Sequence, residues 1–246
     1  MRLTVVGSGD AFGSGGRFNT CFLLEGRQTL LLDCGASSLV ALRARGLDPN
    51  AVDAVILSHL HGDHFGGLPF LLLDGQFASR RERPLMIAGP PGTRERIDAA
   101  LEVFFPRSSA SKWRFRWEVM EIAPGRPAEL VGHGIVTTEV VHQSGAPSTA
   151  VRLTDGKAIL AYSGDTEWTE ALLPVAAGAD LFIIECYDYS RALAGHMNFS
   201  ILKERKADLQ AQRIMITHMN QSMLDQREEA VSLGFIVAED GLTIDV

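Results

Sequence analysis

The most constraining feature of this chain is a short segment of metal-binding side chains that follows an apolar run. Residues 54–57 are Ala, Val, Ile and Leu, and residues 58–64 read Ser-His-Leu-His-Gly-Asp-His. An apolar run with polar flanks predicts a buried strand, so the histidines lie where that strand ends, a usual place for a site on an α/β scaffold. Imidazole nitrogens and carboxylate oxygens are zinc ligands. The segment therefore predicts a site for one or two divalent metal ions. Four candidate ligands in six positions disfavour the alternative, a polar loop whose histidines face solvent.

Short apolar runs alternate with helical patterns along the whole chain. We predict strands at residues 3–6, 20–24, 29–33, 54–57, 181–185 and 214–217. Asp155-Gly156, between two further apolar runs, predicts a hairpin. Helices are predicted at residues 37–45, 93–104, 166–177, 198–212 and 225–233. Periodicity alone predicts a mixed α/β protein.

Three later segments carry further candidate ligands. His142 and His218 each follow a β-branched or apolar run, as the first histidine cluster does, and Asp165 lies in Tyr-Ser-Gly-Asp-Thr. Taken alone, either histidine is more readily explained as a core residue bonded to backbone. Their position after strand-like runs favours a place in the same site.

These segments, in this order, resemble the motifs of the metallo-β-lactamase superfamily. The pattern His59-x-His61-x-Asp63-His64 comes first, and the opening segment 7–20 and the closing segment 240–244 are similar to the ribonuclease Z-like and phosphodiesterase branch. The resemblance covers nearly the whole chain. It implies an α/β four-layer αβ/βα sandwich, with two mixed sheets face to face and helices outside, formed as a single domain over residues 1–246.

The resemblance also implies a ligand set for two divalent ions, with a metal-bridging hydroxide as the attacking group in hydrolysis. One ion is assigned to His59, His61 and His142, the other to Asp63, His64 and His218, and Asp165 bridges them. An imidazole-rich set favours Zn²⁺, and the carboxylates also tolerate Mn²⁺ or Fe²⁺.

Asp63, besides its place among the ligands, and His196 are the predicted catalytic residues. In the ribonuclease Z-like branch a Gly-His-[Ser/Thr] motif supplies a histidine near the scissile phosphate, and Gly195-His196 matches it, although Met197 departs from the small hydroxyl residue. An imidazole that titrates near neutral pH suits protonation of a leaving oxygen. The alternative is a capping or surface histidine. Glu185 is a candidate to orient a histidine, or only the end of a strand.

The glycine-rich opening, residues 7–16, predicts a loop at the rim of the site. It lacks the third glycine and the following helix of a dinucleotide-binding fingerprint. We predict that this loop contacts substrate through its amides, Arg17 or Asn19. The alternative is a tight turn between two strands.

Composition limits the partners. A formal net charge of −7 weighs against a surface that grips long nucleic acid. Local basic clusters, including the aromatic–basic stretch 112–117, are more readily explained as solvated faces.

The longest apolar runs are too short for a bilayer, which takes about 20 residues, so no membrane partner is expected. No charged-then-apolar leader precedes the glycine-rich loop, which predicts a cytoplasmic protein. The cysteines, Cys21, Cys34 and Cys186, lack metal or disulfide spacing and are expected to be buried thiols.

The substrate is expected to be small. Bacterial ribonuclease Z carries its transfer-RNA-gripping arm between the counterparts of His142 and Asp165, and here the predicted hairpin fills that interval. A small or cyclic phosphodiester or a short RNA is therefore the predicted substrate, and transfer RNA is disfavoured. A thioester- or lactone-type hydrolase and a metal-binding protein without turnover remain the alternatives. A homodimer is an expected assembly, with residues 80–120 as a candidate interface or substrate lid.

Overall fold

Two seven-stranded sheets form the centre of the protein in the computed structural model, which describes residues 1–108 and 110–246. The first sheet has the order β14-β1-β2-β3-β4-β5-β6, antiparallel from β14 to β3 and parallel from β3 to β6. Its strands are β1 (Arg2–Gly7), β2 (Cys21–Glu25), β3 (Thr29–Leu32), β4 (Ala54–Ile56), β5 (Leu85–Gly89), β6 (Trp117–Glu121) and β14 (Thr243–Asp245).

The second sheet has a similar mixed design. Its order is β13-β12-β11-β10-β9-β8-β7, parallel from β13 to β10 and antiparallel from β10 to β7. Its strands are β7 (Ala128–Leu130), β8 (His133–Glu139), β9 (Thr149–Thr154), β10 (Ile159–Tyr162), β11 (Leu181–Glu185), β12 (Ile214–Thr217) and β13 (Ile236–Val237).

Helices cover the outer face of each sheet. They are α1 (Ser38–Ala44), α2 (Gly62–Phe65), α3 (Leu68–Leu73), α4 (Thr93–Phe104), α5 (Leu172–Ala176), α6 (Phe199–Arg205), α7 (Gln221–Leu224) and α8 (Arg227–Ser232). Short 3-10 turns lie at Ser14–Gly16, Pro49–Ala51 and Lys206–Leu209, and a π-helical turn lies at Asp74–Ala78. Within the described ranges, no helix has both the length and the apolar character that crossing a membrane requires.

Side-chain alternation explains the layers. Along β2, Phe22 and Leu24 point into a core shared by the two sheets, whereas Cys21 and Leu23 pack on the other face with residues of α1 and α4. Because successive side chains of a strand point to opposite faces, a strand that is apolar at every position is buried on both sides. A third apolar cluster joins the outer face of the second sheet to α5, α6 and α8. The predicted αβ/βα sandwich is confirmed.

Most predicted elements are present at nearly their predicted positions. Helix α4 has the predicted bounds, and the six predicted strands correspond to β1, β2, β3, β4, β11 and β12. The hairpin is also present: Gly156 has φ 86°, and the Asp155 carboxylate accepts bonds from two backbone amides of the turn.

The predicted helix at residues 166–177 is wrong in its first half, because only Leu172–Ala176 is helical. The Thr166 amide donates to the Glu185 carboxylate at 2.7 Å, and the Glu167 amide donates to the Val141 carbonyl. These contacts hold the segment in an extended loop. The predicted helix at 198–212 likewise ends early, at Arg205.

The aromatic–basic stretch lies only partly in the core: its basic residues Lys112, Arg114 and Arg116 are exposed, as predicted for a solvated face. Phe115 and Trp117 are buried, and the guanidinium groups of Arg81 and Arg94 lie over their rings at 5.7 and 4.5 Å from the centroids. Its rings therefore stabilise the first sheet and its helices through packing and cation–π contacts.

Candidate active site

Seven side chains from both halves of the chain converge at one edge of the sandwich. They come from segments that follow strands: the loop after β4 supplies His59 and His61, α2 supplies Asp63 and His64, and the ends of β8, β10 and β12 are followed by His142, Asp165 and His218. The carboxyl ends of parallel strands lie at a common sheet edge, which explains how residues so far apart in sequence meet.

The first group consists of three imidazoles. The Nε2 atom of His142 lies 3.0 Å from Nδ1 of His61, and the ring of His59 lies 4.8 and 5.0 Å, centroid to centroid, from those of His142 and His61. Ligand atoms that surround one zinc ion at 2.0–2.2 Å lie about 3.4 Å apart in a tetrahedron. The separation of the nitrogens of His61 and His142 is close to that value.

The second group pairs two carboxylates with two imidazoles. The Nε2 atom of His64 lies 3.3 Å from an oxygen of Asp63 and 3.2 Å from an oxygen of Asp165, and Nε2 of His218 lies 3.3 Å from the other oxygen of Asp165. That second oxygen is also 3.9 Å from Nε2 of His59 and of His142. Asp165 therefore lies between the two groups.

Hydrogen bonds behind the histidines fix their orientation. The Nδ1 atom of His64 contacts Asp33 at 2.7 Å, that of His142 contacts the Gly195 carbonyl at 2.8 Å, and that of His218 contacts the Thr20 hydroxyl at 3.2 Å. With Nδ1 engaged, Nε2 of each ring is the atom that faces the other candidate ligands.

Asp33 is a functional residue that sequence analysis missed. It is fully buried and accepts hydrogen bonds from the Ser58 amide and hydroxyl and from the Tyr162 hydroxyl, besides contacting His64. A charged residue at the end of an apolar strand, Leu-Leu-Leu-Asp, was the available signal. Its φ of 57°, uncommon outside glycine, marks a backbone held by its surroundings.

Three buried polar atoms test whether a metal fits the site. Nε2 of His59, Nε2 of His64 and Oδ1 of Asp165 have no hydrogen-bond partner among the described residues. An unsatisfied buried polar atom costs about 1–3 kcal/mol, and these three lie in one cluster. Divalent cations would satisfy all of them, so the donor set fits metal ions.

The pKa shifts at the cluster also indicate a site that fits metal ions. Burial and the neighbouring imidazoles hold the pKa of His59 well below its usual value. Burial would raise the pKa of Asp165, but His218 and His64 hold it well below the usual range. Burial would lower the pKa of His64, yet Asp165 and Asp63 raise it well above normal. The two carboxylates thus favour positive charge at this place. A divalent cation would supply that charge instead of a proton on His64.

A second histidine–carboxylate pair adjoins the cluster. Nδ1 of His196 is hydrogen-bonded to the buried Glu185, and the His196 ring lies 4.9 Å from that of His142. The other oxygen of Glu185 accepts from the amides of Thr166 and Met197 at 2.7 and 3.2 Å. Burial lowers the pKa of His196, but the bond to Glu185 and the negative charges of Glu185, Asp165 and Asp63 together raise it above its usual value. The structure thus brings His196 to the site and gives Glu185 the orienting contact.

The opening loop is tied to the site through its backbone and side chains. Arg17 donates to the Ser8 hydroxyl and the Ala238 carbonyl and lies 3.7 Å from Glu239. Asn19 donates to the Asp10 carbonyl and accepts from the amide and hydroxyl of Ser37. Both side chains join loops, so substrate contact by Arg17 and Asn19 stays a prediction that no observed contact supports. Gly9 pairs with Met219, directly after His218, so the loop does lie beside the cluster.

The fold and the site define a metallo-hydrolase of the metallo-β-lactamase superfamily, in its ribonuclease Z-like branch. A family model described as Anti-Pycsar protein Apyc1 matches residues 1–241, and the chain belongs to that family. The predicted superfamily and branch are confirmed.

Individual relatives support the same superfamily and branch. The probable metallo-hydrolase YhfI of Bacillus subtilis (strain 168) is 30% identical over 230 residues, which cover 89% of this chain and 87% of that protein. Ribonuclease Z of Mycobacterium bovis (strain BCG / Pasteur 1173P2) is 29% identical over 194 residues, or 74% of this chain and 69% of that protein. The crystal structure of human tRNase Z, short form, has the same fold: a TM-score of 0.81 at 23% identity, covering 100% of this chain and 99% of that one.

Proposed function

We propose that this metallo-hydrolase is a two-metal phosphodiesterase whose substrate is a small or cyclic phosphodiester or a short RNA. The observation that carries the proposal is the pair of ligand groups that share Asp165, together with the His196–Glu185 pair beside them. Two cations and an adjacent general acid are the catalytic groups that assist displacement at a phosphodiester.

We assign His59, His61 and His142 to one ion, Asp63, His64 and His218 to the other, and Asp165 to both. Zn²⁺ is the ion that this imidazole-rich set favours, and Mn²⁺ or Fe²⁺ are the alternatives. When bound, the ions would acidify water and neutralise charge on the phosphoryl oxygens.

We assign His196 the role of general acid. Because Glu185 engages Nδ1, Nε2 is the atom available to a substrate, and the raised pKa of His196 favours the protonated ring. As the bond from phosphorus to the leaving oxygen breaks, that oxygen takes the proton from Nε2. Asp63, whose carboxylate lies 3.3 Å from Nε2 of His64, is the second proposed catalytic residue and would act as a ligand of the second ion.

Two features support a small substrate. The hairpin of β9 and β10 occupies the interval between His142 and Asp165, which leaves no room for a protruding arm. The net charge of −7 disfavours a surface that holds a long nucleic acid. A cytoplasmic location and a homodimer stay predictions, which cell fractionation and analytical ultracentrifugation test.

The test is hydrolysis by purified protein before and after chelation. Bis(p-nitrophenyl) phosphate and a panel of 3′,5′- and 2′,3′-cyclic nucleotides and short RNAs serve as substrates, and aryl thioesters and lactones serve as the comparison. We expect phosphodiester turnover that disappears on chelation and returns with Zn²⁺ or Mn²⁺. Preferential thioester or lactone turnover, or none at all with two ions bound, would contradict the proposal.

A further inference from the structure

A tyrosine that sequence analysis did not single out lies against the site. Tyr187 lies two residues after the end of β11, and its ring centroid is 4.9 Å from that of His196 with the planes tilted by 33°. The same ring lies 6.0 Å from that of His218. The side chain is partly exposed. Tyr187 therefore packs against the proposed general acid and beside a candidate metal ligand.

The backbone holds this tyrosine in place from two sides. The Tyr187 amide donates to the Met197 carbonyl at 2.9 Å, next to His196, and the Tyr187 carbonyl accepts from the Asn220 amide at 2.8 Å. Asn220 lies two positions after His218. Tyr187 thus joins the segment that carries His196 to the segment that carries His218.

The ring contact supplies a restraint that the hydrogen bond lacks. The bond to Glu185 fixes Nδ1 of His196 but leaves the ring free to tilt about that contact. His142 approaches the imidazole at 74°, and His218 is parallel to it at 6.2 Å. The ring of Tyr187 lies closer to the His196 ring than the ring of His218 does. Packing on both sides is what keeps a side chain in one orientation.

We propose that Tyr187 is a positioning residue whose aromatic ring holds His196 so that Nε2 faces the leaving oxygen of the substrate. This inference rests on the proposed function, because it gives His196 the role of general acid. The aromatic ring of Tyr187, and not its hydroxyl group, makes the contact that positions His196. A structural alternative is that Tyr187 only fills the surface between two loops.

A double-mutant cycle separates these two explanations. The variants are Tyr187→Phe, Tyr187→Leu, His196→Ala and the double variant His196→Ala with Tyr187→Leu. Tyr189→Leu is the matched control, because it removes a ring from the same segment that packs on Phe199 instead of the site. Bound metal and the thermal midpoint are measured for each. The substrates are bis(p-nitrophenyl) phosphate, with a good leaving group, and the fastest cyclic nucleotide, whose leaving group is an alcohol.

We expect Tyr187→Phe to stay within about twofold of the native kcat, whereas Tyr187→Leu lowers kcat for the cyclic nucleotide roughly tenfold with metal retained. The loss should be smaller for bis(p-nitrophenyl) phosphate, because a good leaving group needs less protonation. In the His196→Ala background, Tyr187→Leu should have no further effect, since residues that act as a unit are not additive. Tyr189→Leu should match the native protein.

An equal loss from Tyr187→Leu in both backgrounds, or a Tyr187→Phe variant as slow as Tyr187→Leu, would overturn the inference. So would unchanged kinetics of Tyr187→Leu beside a slowed His196→Ala variant. Those outcomes leave the proposed function standing. Native protein that holds two ions but hydrolyses no phosphodiester would instead refute the proposed function itself.

Discussion

Single side chains behind the candidate ligands decide where the ligands point. Asp33 illustrates this at the residue scale, because one carboxylate accepts from two groups of Ser58 and from Tyr162 while it holds His64. The arrangement joins a strand of each sheet to the site, since Tyr162 ends β10 and Asp33 follows β3.

Asp33→Asn should weaken metal binding without removing a ligand. The amide keeps the shape but loses the charge and one acceptor, so His64 is less firmly oriented. Loss of such an outer contact typically costs 10–100-fold in metal affinity, and we expect a fall of that order. Competition with a chromophoric chelator measures it. Asp155→Asn, in the β9–β10 hairpin, is the control, and equal affinities for the two variants would refute the orienting role of Asp33.

Two histidine variants should separate metal binding from proton transfer. His61→Ala removes a ligand, so we expect loss of activity together with loss of bound metal. His196→Ala should retain metal and lower turnover by roughly 10²–10⁴-fold, the usual contribution of a general acid. Elemental analysis and steady-state kinetics on the same samples give both quantities. Unchanged rates in His196→Ala at full metal content would remove His196 from the mechanism.

At the element scale, the site depends on how strands and helices end. The sequence analysis predicted strands such as β4, β11 and β12 because each is a run of apolar residues buried at every position. It did not predict β5 to β8, β13 or β14. It overextended the helix at 166–177, because the bonds from Thr166 to Glu185 and from Glu167 to Val141 are made by residues distant in sequence. Local patterns carry no information about such long-range contacts.

A side chain caps the start of α6: the Asn198 side chain accepts from the Ile201 amide at 3.0 Å. This cap follows His196 by two residues and fixes the start of the helix. Asn198→Ala should lower the free energy of unfolding by about 1 kcal/mol and the thermal midpoint by roughly 2–4 °C. Asn198→Asp retains the acceptor and should be close to native. Differential scanning calorimetry compares them, and an equal loss in both variants would show that the cap is not the cause.

At the scale of the whole molecule, the two halves of the chain meet at the ligands. Strand patterning accounts for the three apolar clusters, but it predicts only a mixed α/β protein and no sheet order. The four-layer arrangement was predicted only through the resemblance of the motifs. The ligand set could be predicted for the same reason. Sequence analysis could not predict the roles of Asp33, Thr20 and Tyr187, because these roles arise only when the sheets are packed.

Metal removal should destabilise the whole protein, since the proposed ligands come from segments of both sheets. Binding to the native state alone adds about 2.7 kcal/mol when free metal exceeds the dissociation constant a hundredfold. We therefore expect chelation to lower the thermal midpoint by roughly 5–10 °C. His61→Ala should show little further change on chelation. An unchanged midpoint for native protein whose metal has been removed would contradict this coupling.

The central claim is that two ions occupy one cluster of seven ligands. Anomalous diffraction at the zinc absorption edge from reconstituted crystals, with elemental analysis of the same sample, tests it most directly. The account predicts two peaks per chain, one among His59, His61 and His142 and the other among Asp63, His64 and His218, with Asp165 at both. No peak at the cluster, or ions bound only elsewhere on the protein, would contradict it.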